Sequence, residues 1–81
     1  GMVRVEGHTD NIPVAFSERF SSNWDLSSAR SAAVANFLLD NSNLEAGRVT
    51  ITGLADSDPI ANNDTAAGRA QNRRIEVIVD G

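Results

Sequence analysis

The stretch that most constrains this chain is residues 23–39, NWDLSSARSAAVANFLL. At about 100° per residue, one side of a helix over this stretch carries apolar residues, and small or polar residues occupy the other. The pattern predicts an amphipathic helix whose core-facing arc contains Leu26, Ala33, Val34, Phe37 and Leu38. Arg30 falls inside this arc, where an unpaired guanidinium would carry a large desolvation cost. We therefore expect Arg30 to meet an acidic group of the protein or of a ligand, and Asp10 is the best candidate in the chain.

Alternating apolar segments flank this helix. Residues 3–6 and 48–52 each alternate, and Gly7 and Gly53 follow them, which is typical of two short half-buried strands. A strand, a helix and a strand within about fifty residues predict a βαβ unit with parallel strands. A short helix over residues 66–72, capped at Asp64-Thr65, and a third strand over residues 75–79 complete the prediction. The fold class is α/β (α+β), with one domain over residues 3–80.

The segments between these elements contain the residues that could bind a ligand. Residues 7–13 are turn-forming and follow the first strand, so Asp10 can meet Arg30 near the carboxyl end of that strand. Such a pair offers a carboxylate for an ammonium group and a guanidinium for a carboxylate, which suits the zwitterionic end of an amino acid. The alternative is a structural salt bridge that joins loop to helix. Residues 14–22 are interpreted as an irregular loop with Phe16 and Phe20 as apolar anchors, and Trp24 as a packing residue.

Composition excludes several other classes of function. A net charge of −4 argues against nucleic acid and anionic membrane surfaces as partners. Cysteine is absent, and His8, the only histidine, is expected in an exposed loop without the spacing of a metal site, so neither a metal nor a cofactor is expected. No apolar run approaches the roughly 18–20 residues of a membrane span. The chain also lacks the Gly-x-Ser-x-Gly motif that surrounds the nucleophilic serine of many hydrolases.

Three motifs in this order resemble one known family. They are Gly7-His8-Thr9-Asp10, Asn23-x-x-Leu26-Ser27-x-x-Arg30 and Gly68-Arg69-x-x-Asn72-Arg73-Arg74-Ile75-Glu76. Together they resemble the OmpA-like peptidoglycan-binding domain, over nearly all of residues 3–79. Within that family, residues 11–13, the longer loop through Phe20, residues 22–27 and residues 63–65 look most like the periplasmic part of MotB-type flagellar stator subunits.

The resemblance implies a βαβ-αβ fold, with a small mixed sheet of about three strands and helices on one face. It also implies a non-enzymatic function, the binding of the diaminopimelate-containing stem peptide of peptidoglycan in the periplasm. Asp10 would take the ammonium group and Arg30 the carboxylate, while Thr9, Asn23, Leu26 and Arg73 would line the same pocket. The parent protein would then be anchored in the inner membrane, as a stator subunit is. The alternatives are a structural oligomerisation domain, an outer-membrane anchoring domain of the OmpA or Pal type, and a peptidoglycan-processing enzyme.

One departure from the family pattern concerns the start of the chain. Members of the family usually have a strand and a helix before the Gly7–Asp10 motif, whereas only Gly1 and Met2 precede Val3 here. Gly1 and Met2 resemble the residues that cleavage of a tag leaves behind. The interpretation is a partial domain with an uncovered sheet edge, for which we expect a homodimer or an exchanged element.

Overall fold

A computed structural model describes residues 1–14 and 19–81 of the chain. The elements within these residues are β1 (Met2–His8), α1 (Asn23–Asp40), a 3₁₀ turn (Ala46–Arg48), β2 (Val49–Gly53), α2 (Ala66–Asn72) and β3 (Arg74–Asp80). The predicted order of strands and helices is confirmed. The bounds of α2 are those predicted, whereas β1 and β3 are longer than predicted. The expected anchoring role of Phe16 lies outside the described residues.

The three strands form one mixed sheet in the order β2-β1-β3. The central strand β1 is parallel to β2, with Gly7 opposite Gly53, and antiparallel to β3, with Gly7 opposite Ile75. The predicted parallel pairing of the first two strands and the three-stranded mixed sheet are therefore confirmed. Asp10 follows β1 and Ala55 follows β2, so both lie beyond the carboxyl ends of the parallel pair.

Helix α1 begins at Asn23, the first residue of the stretch predicted to be helical. Ser22 is its N-cap, and the Ser22 hydroxyl accepts a hydrogen bond from the backbone N–H of Asp25 at 3.3 Å. At the other end, the Asn41 N–H donates to the carbonyl of Phe37 at 3.1 Å. The helix packs on β1 and β2. A membrane-spanning helix is not found in the described part of the chain.

The face of α1 that meets the sheet differs from the predicted one. Its buried residues are Ser27, Ser31 and Ala35, whereas Phe37 is 64% exposed and Arg30 is also exposed. The predicted core-facing side is therefore wrong, because the observed buried face is rotated from it by about a quarter of a turn around the helix axis. The large side chain of Phe37 lies outside the core, and small residues spaced four apart mark the buried face.

Two glycines in the sheet explain why small residues face it. Gly7 and Gly53 lie side by side in β1 and β2, directly beneath α1. A Cβ added at Gly7 would overlap the carbonyl oxygen of Ser27, and one added at Gly53 would overlap the side chain of Ser28. The helix backbone thus approaches the strands closely. At this distance a serine or alanine fits between helix and sheet, and a leucine or phenylalanine does not.

Candidate functional site

Asp10 lies at the centre of the candidate site. It is buried just beyond the end of β1, and its Oδ2 accepts a hydrogen bond from Nη1 of Arg73 at 2.7 Å. Its Oδ1 accepts from the backbone N–H of Ile12 at 2.9 Å, which turns the following loop around the carboxylate. Arg73 is the C-cap of α2, and its side chain is 46% exposed. The ion pair therefore presents a guanidinium to solvent and holds a carboxylate beneath it.

Thr9 and Asn23 complete this arrangement. Thr9 is buried; its backbone N–H donates to the carbonyl of Ala55, and its hydroxyl donates to the carbonyl of Asp10, both at 2.8 Å. The Nδ2 of Asn23 donates to the carbonyl of Ile12 at 3.1 Å and, more weakly, to that of Asp10 at 3.4 Å. We call Thr9, Asp10, Asn23 and Arg73 the Asp10 cluster. Four of the six residues predicted for the site are therefore brought together.

The other two predicted residues, Leu26 and Arg30, lie on α1 and line a cavity of about 290 Å³. Among the described residues, the others that line it are Arg19, Phe20, Ala29 and Ala33, and we call this surface the Arg30 groove. Arg30 is exposed, and among residues 1–14 and 19–81 it forms neither an ion pair nor a hydrogen bond.

The predicted burial of Arg30 against Asp10 is wrong. The rotation of α1 relative to the predicted face directs Arg30 outward, and Arg73 from α2 is the cation that pairs with Asp10. The sequence contained a signal for this outcome, because Arg73 follows the short helix at the carboxyl edge of the sheet, where Asp10 also lies. Whether Arg30 or Arg73 pairs with Asp10 depends on which face of α1 meets the sheet, and the hydrophobic pattern indicated the wrong face.

The Asp10 cluster and the Arg30 groove are neighbours along α1. Asn23, Leu26 and Arg30 are spaced three and then four residues apart, so they follow one side of the helix over about 10 Å. A small ligand could therefore contact the Asp10 cluster at one end and the Arg30 guanidinium at the other. The combined surface provides one carboxylate and three arginines, Arg19, Arg30 and Arg73, which are the groups that bind ammonium and carboxylate functions.

His8 is buried rather than exposed in a loop, which corrects the sequence interpretation. It is the last residue of β1, on the sheet face opposite Gly7. Its Nε2 lies 3.4 Å from Oε2 of Glu76 and 3.9 Å from Oε1 of Glu6. Neither ring nitrogen makes a hydrogen bond to the described residues. No grouping of three or more potential metal ligands is found in residues 1–14 and 19–81.

Trp24 also departs from its predicted packing role, because the residue is 54% exposed in the first turn of α1. It borders a second cavity of about 430 Å³, whose other lining residues include Asn11, Asn23 and Asp56. We call this surface the Trp24 groove. The sequence contained a signal for this exposure, because Trp24 directly follows polar capping residues. That position lies in the first turn of the helix, beyond the sheet.

The fold and the Asp10 cluster define a small α/β domain with a polar ligand site at the carboxyl edge of its parallel strands. A model of the OmpA family matches residues 1–73. The chain belongs to the OmpA family, as its three motifs predicted.

Two proteins of different kinds are similar to the chain. Motility protein B of Bacillus subtilis is 43% identical over 75 residues, which is 93% of this chain and 28% of that protein. The structure of the cell wall anchor of the T6SS from Pseudomonas aeruginosa is 47% identical, with a TM-score of 0.86 over 95% of this chain and 52% of the other.

The periplasmic domain of Helicobacter pylori MotB has the same fold. It aligns with a TM-score of 0.83 at 28% identity, covering 94% of this chain and 46% of that one. The chain thus spans about a quarter of the motility protein and about half of each of the two structures.

Proposed function

We propose that this chain is a non-enzymatic domain that anchors its parent protein to peptidoglycan by binding the stem peptide. The bound group is the free amino-acid end of diaminopimelate, which carries an ammonium and a carboxylate on one carbon. Asp10 receives the ammonium group and Arg30 the carboxylate. The remaining contacts come from Thr9, Asn23, Leu26 and Arg73.

The observation that carries this proposal is the guanidinium of Arg30 beside the Asp10 cluster, which is exposed and has no partner in the described part of the chain. A guanidinium has five N–H donors, and none of those of Arg30 is used within the described residues. Asp10 accepts one hydrogen bond on each oxygen, and a carboxylate has about four acceptor sites, so it can accept an ammonium while keeping both bonds. Arginine side chains are long and flexible, so Arg30 can turn towards Asp10 when the ligand links them.

The identity of the parent protein is a separate part of the proposal. The chain is similar both to a motility protein and to the cell wall anchor of a T6SS, at 43% and 47% identity. Anchoring to the cell wall is compatible with either parent, and the stator-like loop and capping sequences favour a MotB-like flagellar stator. An outer-membrane anchoring protein is the alternative parent. The domain is periplasmic, in agreement with its similarity to the periplasmic domain of Helicobacter pylori MotB.

The test compares two stem peptides by calorimetry, one with diaminopimelate at its third position and one with lysine there. Lysine has the side-chain ammonium but lacks the adjacent carboxylate. The wild type is expected to bind the diaminopimelate peptide at least about tenfold more tightly than the lysine peptide. Arg30→Ala should abolish this preference. The control is Arg48→Ala, because Arg48 is also an exposed arginine and lies in the 3₁₀ turn before β2.

Three results would contradict the proposal. The first is equal affinity of the wild type for both peptides, and the second is a preference that survives in Arg30→Ala. The third is cleavage of muropeptides by the purified domain, which would support a processing enzyme. A purely structural role predicts that Arg30→Ala lowers stability, whereas an exposed, unpaired side chain should change the free energy of unfolding by less than about 0.5 kcal/mol.

The proposal includes a homodimer, because the β3 edge of the sheet is free within the described residues. In the order β2-β1-β3, no strand among residues 1–14 and 19–81 pairs with the outer side of β3, and Val77 and Val79 on this strand are 47% and 69% exposed. An uncovered apolar edge strand is a site for pairing with a second chain. Light scattering over a range of concentrations should show the dimer, and a monomer at every concentration would contradict it.

A further inference from the structure

Helix α1 carries a second patterned face on its solvent side, away from the small residues that meet the sheet. Its members are spaced four, three, four and three residues apart, which is the spacing of the a and d positions of a coiled coil. Four of the five are exposed, and Phe37 is 64% exposed. We call this face the α1 stripe, and it consists of Leu26, Arg30, Ala33, Phe37 and Asp40.

The contact between α1 and the sheet does not use the α1 stripe. The buried residues of the helix are Ser27, Ser31 and Ala35. One exposed aromatic residue such as Phe37 is common on protein surfaces. A heptad spacing kept from residue 26 to residue 40, with an aromatic residue at its centre, is instead typical of a helix that packs on another helix.

The residues of the α1 stripe complement one another when two copies of α1 pair in antiparallel orientation. In a two-fold pair centred at the level of residue 35, Arg30 lies opposite Asp40 of the second copy, and Ala33 lies opposite Phe37 of the second copy. Opposite charges then meet at both ends, and each large ring meets a small methyl group. A parallel pair would instead place Arg30 on Arg30 and Asp40 on Asp40. The charges of the stripe therefore favour the antiparallel pair.

The two charged residues of the α1 stripe are available for this contact. Neither Arg30 nor Asp40 forms an ion pair or a side-chain hydrogen bond among residues 1–14 and 19–81. The positions beside the centre of the stripe are Ala29, Val34 and Asn36, none of which carries a charge that would repel a second copy. Because a guanidinium has five N–H donors, Arg30 can pair with Asp40 of the second copy and still bind a ligand carboxylate.

We propose that two copies of the chain associate through the α1 stripe, with their helices antiparallel. This contact adds a second interface to the homodimer of the proposed function, and it does not use the β3 edge. Pairing at that edge would keep the two α1 helices apart, because α1 packs on β1 and β2 and both β3 strands would then lie between the helices. The two interfaces can therefore be tested separately.

The first test is disulfide crosslinking, since the chain contains no cysteine of its own. Ala33→Cys and Phe37→Cys change exposed positions, and the two variants are purified separately, mixed in equal amounts and gently oxidised. The two positions lie opposite each other in the antiparallel pair, so the disulfide between the two variants should exceed each self-disulfide by at least about fivefold in the mass spectrum. The control mixture is Ala33→Cys with Gln71→Cys, because Gln71 is exposed on α2. It should show no such excess.

The second test reverses the charges of the α1 stripe within the two cysteine variants. Arg30→Glu should lower the yield of their shared disulfide about tenfold, because it places a carboxylate opposite Asp40 twice in each pair. Adding Asp40→Arg should restore the yield, since the two charges are then exchanged. Arg48→Glu makes the same change of net charge outside α1, and it should leave the yield unchanged.

The inference is overturned if the disulfide between the two variants forms no more often than the self-disulfides, or if Arg30→Glu leaves its yield unchanged. Either result leaves the stem-peptide test and the β3-edge dimer intact, because neither depends on contact between two α1 helices. Conversely, a wild type without a preference for diaminopimelate would contradict the proposed function without altering the crosslink.

Discussion

The carboxylate of Asp10 and the guanidinium of Arg73 lie 2.7 Å apart, although the two residues are 63 positions apart in the chain. Asp10 follows the central strand, and Arg73 joins α2 to β3. The pair therefore fixes the last helix and strand against the loop that contains the ligand site. The Asp10 side chain is only 10% exposed, so loss of its cation would leave a largely desolvated carboxylate.

We expect Arg73→Ala to lower the free energy of unfolding by about 1–3 kcal/mol, because Asp10 keeps only its bond to the Ile12 N–H. Arg73→Lys should lose less, since it retains a cation near the carboxylate. Urea denaturation measures both. The control is Arg48→Ala, which removes an exposed ion pair with Glu45 and should change stability by less than about 0.5 kcal/mol. Equal effects of the two alanine substitutions would mean that the Asp10 pair does not stabilise the fold.

The two glycines beneath α1 support a second prediction. Gly7→Ala and Gly53→Ala should each destabilise the domain by about 1–3 kcal/mol, because the new methyl group would overlap atoms of Ser27 or Ser28. Thermal unfolding would measure the loss. Gly47→Ala is the matched control, since a Cβ at Gly47 would have no atom within 4 Å. If all three variants melted together, close approach of the helix to the sheet would not be a determinant of stability.

These glycines also show why the sequence predicted the elements better than their packing. Alternation and helical periodicity are local signals, and they correctly predicted the order of the strands and helices along the chain and the first residue of α1. The helix face depends on what lies opposite it, and Gly7 and Gly53 become neighbours only once β1 and β2 pair. With two glycines opposite, the helix side that fits the sheet consists of small residues, and Phe37 is left exposed.

Only part of the candidate site could be predicted from the sequence, again because local relationships are readable there and long-range packing is not. Thr9 and Asp10 lie next to each other in the turn after β1, so sequence order alone placed them together. The approach of Arg73 to Asp10 depends on how α2 and β3 return to the sheet, a long-range relationship that no local pattern contains. Arg30 was assigned to the core from a hydrophobic arc, and that arc proved to be rotated by about a quarter of a turn from the buried face of the helix.

Ser27 supports a third prediction, because its hydroxyl connects the helix to the end of β2. It is completely buried, accepts a hydrogen bond from the Ala55 N–H at 3.0 Å and donates to the Trp24 carbonyl at 3.2 Å. Ser27→Ala would leave the buried N–H of Ala55 without its acceptor, at a cost of about 1–3 kcal/mol. The control is Ser28→Ala, since the Ser28 hydroxyl makes no hydrogen bond to the described residues. Faster amide exchange at Ala55 in Ser27→Ala alone is the expected result, and unchanged exchange would contradict it.

Asn72 supports the last prediction, because its fully buried carboxamide is satisfied on both sides. Its Oδ1 accepts from the N–H groups of Ile60 and Ala61 at 2.8 and 3.0 Å, and its Nδ2 donates to the Ala61 carbonyl at 3.0 Å and to Oδ1 of Asn63 at 2.8 Å.

Asn72→Asp would direct a carboxylate oxygen at two acceptors, which should cost at least about 2 kcal/mol at neutral pH. Both burial and these acceptors favour the protonated acid, so the pKa of the introduced carboxyl should rise above its ordinary value. The deficit relative to wild type at the same pH should therefore be smallest in acid, grow as the pH rises from the ordinary pKa of a carboxyl to the raised one, and level off above it. Gln71→Glu makes the same chemical change at the exposed neighbouring residue, and equal denaturation curves for the two variants would show that the Asn72 network contributes nothing.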